Sequence, residues 1–291
     1  MAGSWRNCWS GGLRPSIAFA ARMRLNRSPT APFAITIVRF AAALLLADAA
    51  WFEVNAYSQT DEIQVYDAVI AEPGKLDLTL HNNFTPLGLK MPAFPGAIIP
   101  DKSLNGVPEF GYGIKDWWEG GLYLPLYSIS KGHGATLDGF KLRSLFVSPN
   151  AADRAFFYGI NFEYSVNARY WDVSRFSSEV RPIIGTHLGN WDFIVNPILD
   201  TEYTRFKDLE FAPCVRVAYR QSKDWIFAAE EYADFGSISR FHSSNQQAHQ
   251  LFGVFDWNTK LVNIEAGVGL GLTSATDRLT IKLMLSRDLS W

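Results

Sequence analysis

Residue types that could carry nucleophilic chemistry meet at Phe241-His-Ser-Ser-Asn245. On an extended strand His242 and Ser244 would share a face, since successive side chains alternate. The imidazole could then take the serine proton and activate the oxygen as a nucleophile, with Asp256 orienting the ring. The segment is also rich in Ser and Gln, which reads as a loop tip. His81, His133, His187 and His249 are dispersed, and no HExxH or paired metal spacing occurs. No GxSxG, Walker or CxxC pattern is present. The reading is therefore no enzyme, no metal and no cofactor, with a hydrolase built on His242 and Ser244 as one alternative.

A second set of candidates is ionic. Lys141, Arg143, Glu163, Arg181, Glu210, Arg216, Glu265 and Lys282 stand opposite apolar residues in segments that alternate with period two. Charges that line the inside of a barrel can bind or pass polar solutes; equally, they can pair across the barrel and fill it. The elements that would hold them are strands. In Lys75–Thr85, Leu76, Leu78, Leu80 and Phe84 face one way and Asp77, Thr79, His81 and Asn83 the other. Phe156–Val166, Leu209–Tyr219 and Val262–Leu272 repeat the pattern, the last with Gly267, Gly269 and Gly271 on its polar side. Those glycines relieve crowding or let the strand bend. Weaker alternation covers Gly111–Ile114, Leu122–Ser130, Gly139–Ser148, Val180–Leu188, Trp191–Thr201, Trp225–Phe235, Gln250–Asn258 and Leu279–Trp291. The cleaner segments exceed the usual five or six residues of soluble strands and suit tilted membrane strands of about 9–11.

This pattern predicts an all-β fold, a closed antiparallel transmembrane barrel of about 12 strands with a polar lumen. Short turn-forming stretches, such as Leu188-Gly-Asn-Trp191 and Gln221-Ser-Lys-Asp224, join hairpins. Met91–Val107 and Arg169–Ser178 read as longer extracellular loops. Trp117, Trp118, Tyr170, Trp171, Trp191, Trp225 and Trp257 gather near strand ends, where amphipathic rings favour the headgroup level. A soluble β-sandwich with these rings in its core is the competing architecture.

Composition agrees with a lipid-facing surface. Only 19% of the 291 residues are charged and 14% are aromatic, against about 25% charged in a soluble domain. Six arginines (Arg6, Arg14, Arg22, Arg24, Arg27 and Arg39) precede the first acid, Asp48, and an apolar run over 40–47 follows them. Small residues at Ala47-Asp48-Ala49 and Ala56-Tyr57-Ser58 offer cleavage sites. That order is a secretory signal, and a mitochondrial transit peptide is the rival reading. The organisation expected is a leader over 1–58, with Met23 a possible true start, and a barrel over 59–291. Cleavage after Ser58 would leave 27 − 6 = 21 basic and 29 − 2 = 27 acidic residues, a net of −6. This charge argues against nucleic acid as a partner. Removal of Cys8 would leave Cys214 alone, so no disulfide is expected.

The C-terminal strand alternates Leu279, Ile281, Leu283 and Leu285 with Thr280, Lys282, Met284 and Ser286, then ends Leu289-Ser-Trp291. It resembles the terminal insertion signal of Gram-negative outer-membrane barrels, carried here by Leu285, Leu289 and Trp291; Arg287 departs from the pattern. The stretches His249-Gln-Leu-Phe-Gly-Val-Phe-Asp256 and Gly267-Val-Gly-Leu-Gly-Leu-Thr-Ser-Ala-Thr-Asp277-Arg278 resemble a transporter-like outer-membrane family linked to the meta-pathway of phenol degradation. The resemblance implies passive passage of small, hydrophobic or aromatic molecules, with the cell outer membrane as location. Outer-membrane lipids, the barrel assembly machinery and a small-molecule solute are the partners it implies. His242 and Ser244 also resemble the His-x-Ser-Asn arrangement of outer-membrane lipid A deacylases, which implies an outer-membrane lipid hydrolase as the alternative. A surface-recognition barrel with a filled lumen is the third reading. Mass spectrometry of the chain purified from outer membranes is expected to place the mature N-terminus at Gln59; an N-terminus upstream of Asp48 would overturn the leader boundary.

Overall fold

A computed structural model describes residues 61–289. The arginine-rich leader, its cleavage sites, Met23, Cys8 and Trp291 lie outside the described residues. Fourteen strand segments follow in order: β1 Leu76–Leu87, β2 Ser103–Lys115, β3 Trp118–Ser130, β4 Gly134–Val147, β5 Phe156–Asn167, β6 Phe176–Leu188, β7 Trp191–Asn196, β8 Leu199–Thr201, β9 Glu210–Phe211, β10 Cys214–Arg220, β11 Trp225–Asp234, β12 Ala248–Asn258, β13 Asn263–Gly271 and β14 Leu279–Asp288. Segments β7 and β8 both pair with β6, and Pro197 falls in the gap between them. Pro213 falls in the corresponding gap between β9 and β10. Proline has no N–H to give a ladder, so each gap marks a break within one strand rather than a new one. The fourteen segments thus make twelve barrel strands.

Every strand pairs antiparallel with its neighbours in sequence, and β1 pairs with β14, setting Leu80 opposite Leu285 and Asn83 opposite Lys282. The ladder continues past β14, where the Leu289 N–H donates to the Leu76 carbonyl at 2.7 Å. The sheet therefore has no free edge. Arg287 keeps the outward register, exposed and opposite Leu78.

The alternation sorts as the sequence implies. Phe84, Phe156, Tyr158, Phe162, Phe227, Val268 and Ile281 are exposed on the outside, while His81, Asn83, Asn161, Glu163, Arg216, Thr280 and Lys282 are buried inside. Hydrophobic rings and branched chains on an outer face, with paired charges within, invert a soluble barrel and suit a lipid exterior. Among the described residues no helix is long and apolar enough to cross a membrane.

The two rims differ. The one at which β1 begins and β14 ends carries short connections at 116–117, 148–155, 189–190, 221–224 and 259–262. The opposite, far rim carries 88–102, 131–133, 168–175, 202–209, 235–247 and 272–278. Near the rim where β1 begins, ring pairs follow one another: Trp118 stacked on Phe146 at 5.8 Å, Trp191 tilted against Tyr219 at 5.0 Å and Trp225 stacked on Trp257 at 5.5 Å.

Three expectations need correction. Met91–Val107 is not all loop: its last five residues open β2, because Ser103, Asn105 and Val107 alternate inward and are buried. Trp171 does not join a girdle. It is buried with Ile98, Val107, Tyr123 and Leu126, where the 168–175 connection folds over the lumen; the Ile98 N–H donates to the Tyr170 carbonyl at 3.0 Å. The lumen is also not uniformly polar. Leu145, Val147, Phe157, Ile183 and Ile194 form an apolar cluster within it. Gly185 makes room for Phe157 and Gly269 for Phe252, whose rings lie where a Cβ would stand.

Closure predicts heat-modifiable migration. Refolded in detergent, the protein is expected to run faster on a denaturing gel unboiled than boiled; identical mobility together with solubility in the absence of detergent would contradict a closed membrane barrel.

Candidate functional site

The interior of the barrel is occupied by the chain itself. Residues 61–73 run through it with a bend at Ala68, whose φ is 63°, before β1 begins, and Asp61, Glu62, Ile63, Val65, Tyr66 and Ala68 are buried. Such a segment must satisfy its backbone groups, and here the wall does so. Asn196 pairs with Tyr66 as a neighbouring strand would: its Oδ1 accepts from the Tyr66 N–H at 2.7 Å and its Nδ2 donates to the Tyr66 carbonyl at 3.1 Å. Lys282 Nζ donates to the Ile63 carbonyl at 3.3 Å, Arg181 Nη1 to the Gln64 carbonyl at 3.2 Å, and the Ala71 N–H to Glu119 Oε2 at 2.6 Å. At the rim where β1 begins, Pro73 bridges to Gly113.

Side chains add charge pairing. Asp61 Oδ1 lies 2.9 Å from Lys141 Nζ, and Glu62 Oε1 3.5 Å from Arg181 Nη1. The Tyr66 hydroxyl donates to Glu163 Oε1 at 3.2 Å and its oxygen lies 2.5 Å from the Tyr123 hydroxyl. The Arg181 guanidinium sits over the Tyr66 ring, 4.3 Å from its centroid, where the negative ring face attracts it. Apolar contacts complete the seating: Ile63 packs with Phe252 and Val254, and Val65 with the Phe157 cluster.

Around this segment the wall charges form two groups. In one, Arg143 contacts Glu109 at 2.6 Å and also pairs with Glu119, while His81 Nε2 lies 2.9 Å from Glu109. In the other, Arg216 pairs with Glu230 and Asp256, and with Glu265 at 3.3 Å; Lys282 joins Glu230 at 2.5 Å and Glu265 at 2.6 Å. Lys141 is also 3.8 Å from Glu163, and Arg181 is 2.6 Å from Glu179. Lys141, Arg143, Glu163, Arg181, Arg216, Glu265 and Lys282 are thus brought into one interior. Glu210 stands apart: it is exposed, forms no ion pair among the described residues and lines a cavity at the far rim.

That cavity has a volume of about 610 Å³. Asp61, Lys141 and Glu163 lie at its inner end, and the far-rim connections supply Phe94, Trp171, Asp172 and Glu202.

The hydrolase arrangement is not assembled. Ser244 is exposed in the 235–247 connection and makes no hydrogen bond to His242, while Asp256 lies towards the opposite rim, paired with Arg216. Among the described residues no group of three or more His, Cys, Asp or Glu has metal-binding geometry.

Sequence reasoning missed the internal segment, together with Glu109, Glu119, Glu230 and Tyr123. The two glutamates at 230 and 231 adjoin, so alternation alone leaves open which one faces inward. Residues 61–73 carry no period-two signal of a barrel strand; the only pointer is an acidic pair, Asp61-Glu62, in front of a lumen rich in Lys and Arg.

No family model matches the sequence, and no curated protein matches it. Among solved structures the chain is similar to the COG4313 outer membrane channel from Pseudomonas putida F1, with 13% identity, 78% of this chain and 100% of that chain covered, and a TM-score of 0.53. The fold is that of an outer-membrane barrel. Looser likenesses are the NanC porin (8% identity, 72% of this chain and 97% of that, TM-score 0.47) and the CymD monoaromatic hydrocarbon channel (10%, 75% and 89%, TM-score 0.43).

Arg216 gives a direct test of the interior network. Arg216→Met would leave Glu230, Asp256 and Glu265 facing one another with Lys282 alone, and breaking a buried pair costs about 3–5 kcal/mol. Urea titration of the folded fraction on unboiled gels is expected to show a clearly lowered midpoint; an unchanged midpoint would mean the pairs contribute nothing.

Proposed function

We propose that the protein is an outer-membrane channel for passive passage of small molecules, narrowed by its own segment 61–73. The observation that carries this reading is a closed barrel with an apolar exterior whose charged lumen opens at one rim into a cavity of about 610 Å³. That volume lies in the range of small-molecule sites, about 300–1,000 Å³. The shared fold with a channel of the same strand architecture supports it, as does the resemblance of 249–256 and 267–278 to the family linked to phenol degradation, which favours aromatic or hydrophobic solutes. Short connections at the rim where β1 begins and β14 ends, and longer ones opposite, fit a periplasmic and an extracellular side respectively. The cavity then opens to the outside, and a leader over 1–58 directs export.

Segment 61–73 is held by wall side chains rather than by a backbone ladder along its length, so its position determines how wide the lumen is. A chain lacking residues 61–70 is expected to fold and to give a larger single-channel conductance in planar bilayers than the mature protein. Asp61→Asn with Glu62→Gln is expected to move conductance in the same direction by a smaller amount. Failure of all three forms to conduct, with liposomes refusing to swell in small sugars and aromatic acids, would replace the channel reading with a filled recognition barrel.

A further inference from the structure

Four carboxylates stand in one row across the inner wall near the far rim. Glu163 on β5 is opposite Glu179 on β6, Glu179 is opposite Asp200 on β8, and Asp200 is opposite Glu210 on β9. Like charges directly opposite in a sheet destabilise it. The first two are compensated: Lys141 stands beside Glu163 and Arg181 beside Glu179. Asp200 and Glu210 form no ion pair and no side-chain hydrogen bond among the described residues; Arg181 is the cation that acts on Asp200, and it is engaged by Glu179 and Glu62. Asp172, Glu202 and Asp234 line the same cavity and also lack an ion pair, their oxygens accepting only neutral donors: Asn167 and Ser174 at Asp172, Ser174 at Glu202, and the Gly236 N–H at Asp234. Asp61, 4% exposed and also lining the cavity, keeps Oδ2 without a partner.

The basic residues that line this cavity are Lys141 and His242, and Lys141 is already engaged by Asp61 and Glu163. The walls are not wholly polar. Trp171, 6% exposed, and Phe94 present aromatic surface to the same cavity. Carboxylates too dispersed to coordinate a metal ion, beside aromatic rings, match an ammonium on an apolar body: the charge is met by the carboxylates and the ring faces, the body by the rings.

We propose that the far-rim cavity is a binding site for small organic cations, primary amines or amidines carrying an aromatic or aliphatic body, and that it selects them for entry to the lumen. The selection step rests on the channel reading above; the binding step does not. A row in which carboxylates outnumber cations raises the local concentration of cations and rejects anions of the same shape, because the mouth is walled by low-dielectric protein that focuses the field.

The test uses the mature protein in detergent micelles and three probes with a common body: 2-phenylethylammonium, 2-phenylethanol and 3-phenylpropanoate, titrated by calorimetry. The ammonium is expected to bind more than about tenfold tighter than the carboxylate, with the alcohol between them. Raising sodium chloride from low to 1 M is expected to weaken the ammonium alone, as screening requires. The double substitution Asp200→Asn with Glu210→Gln relieves like-charge contact, so it is expected to fold at least as well, shown by the unboiled gel shift, and to lose most of the ammonium preference. Equal affinity for the two ions, or ammonium binding that neither salt nor the double substitution changes, would overturn the proposal. Bilayer recordings separate the two claims: ammonium binding without conductance keeps the site and removes the channel, whereas conductance without ammonium preference does the reverse.

Discussion

No backbone donor or acceptor of a chain in hydrocarbon can be left to water, so a sheet that lies there must have no edge. The pairing of β1 with β14 meets this constraint, and the rest of the molecule is arranged around it. Closure forces each strand to show one face to lipid and one to the interior, which explains why Leu283 points outward and Lys282 inward although they adjoin. It also makes the interior a fixed volume. About eight strands enclose a space that side chains alone can fill; twelve enclose more, and here a piece of the same chain takes up part of the difference.

The fill is mixed because the problem is mixed. A segment with its own N–H and C=O groups cannot lie against hydrocarbon, so Asn196, Lys282, Arg181 and Glu119 meet its backbone. Those groups are themselves polar and buried, and need partners in turn; Glu230, Glu265, Glu179 and Arg143 supply them. The apolar contacts of Ile63 and Val65 fix where the segment sits along the wall. Polar satisfaction near the centre and like-charge crowding at the far rim are therefore different regimes of one surface. Along residues 61–73 the wall charges pair; at Asp200 and Glu210, near the far rim, no ion pair forms among the described residues.

Much of the barrel is written in period two. Each of the twelve strands contains a segment that alternation marks, although β2 and β6 begin earlier, at Ser103 and Phe176, within stretches expected as loops; a strand with one face in lipid and one in a charged interior has a strong contrast between successive residues. Breaks at Pro197 and Pro213 were harder to place, because the inward side chains continue in register on either side. Trp171 misled for a physical reason: a tryptophan near a strand end satisfies its amphipathic ring at a membrane interface or under a loop, and composition cannot separate these. The lumen charges were legible as residues on the inward face; which of them pair was not, because pairing across a barrel joins strands far apart in sequence, as Arg216 on β10 and Asp256 on β12 show. The internal segment was illegible for the same reason in stronger form. Its conformation is set by the wall rather than by a pattern of its own.

The central claim is that residues 61–73 lie inside the barrel, held by the wall. Amide hydrogen–deuterium exchange of the mature protein in detergent reads this directly, peptide by peptide. Exchange in peptides spanning 61–72 is expected to be slowed to the range of the barrel strands, with Tyr66 among the slowest because Asn196 takes its N–H. Exchange there at the rate of an unstructured chain, with the strands protected, would contradict the account.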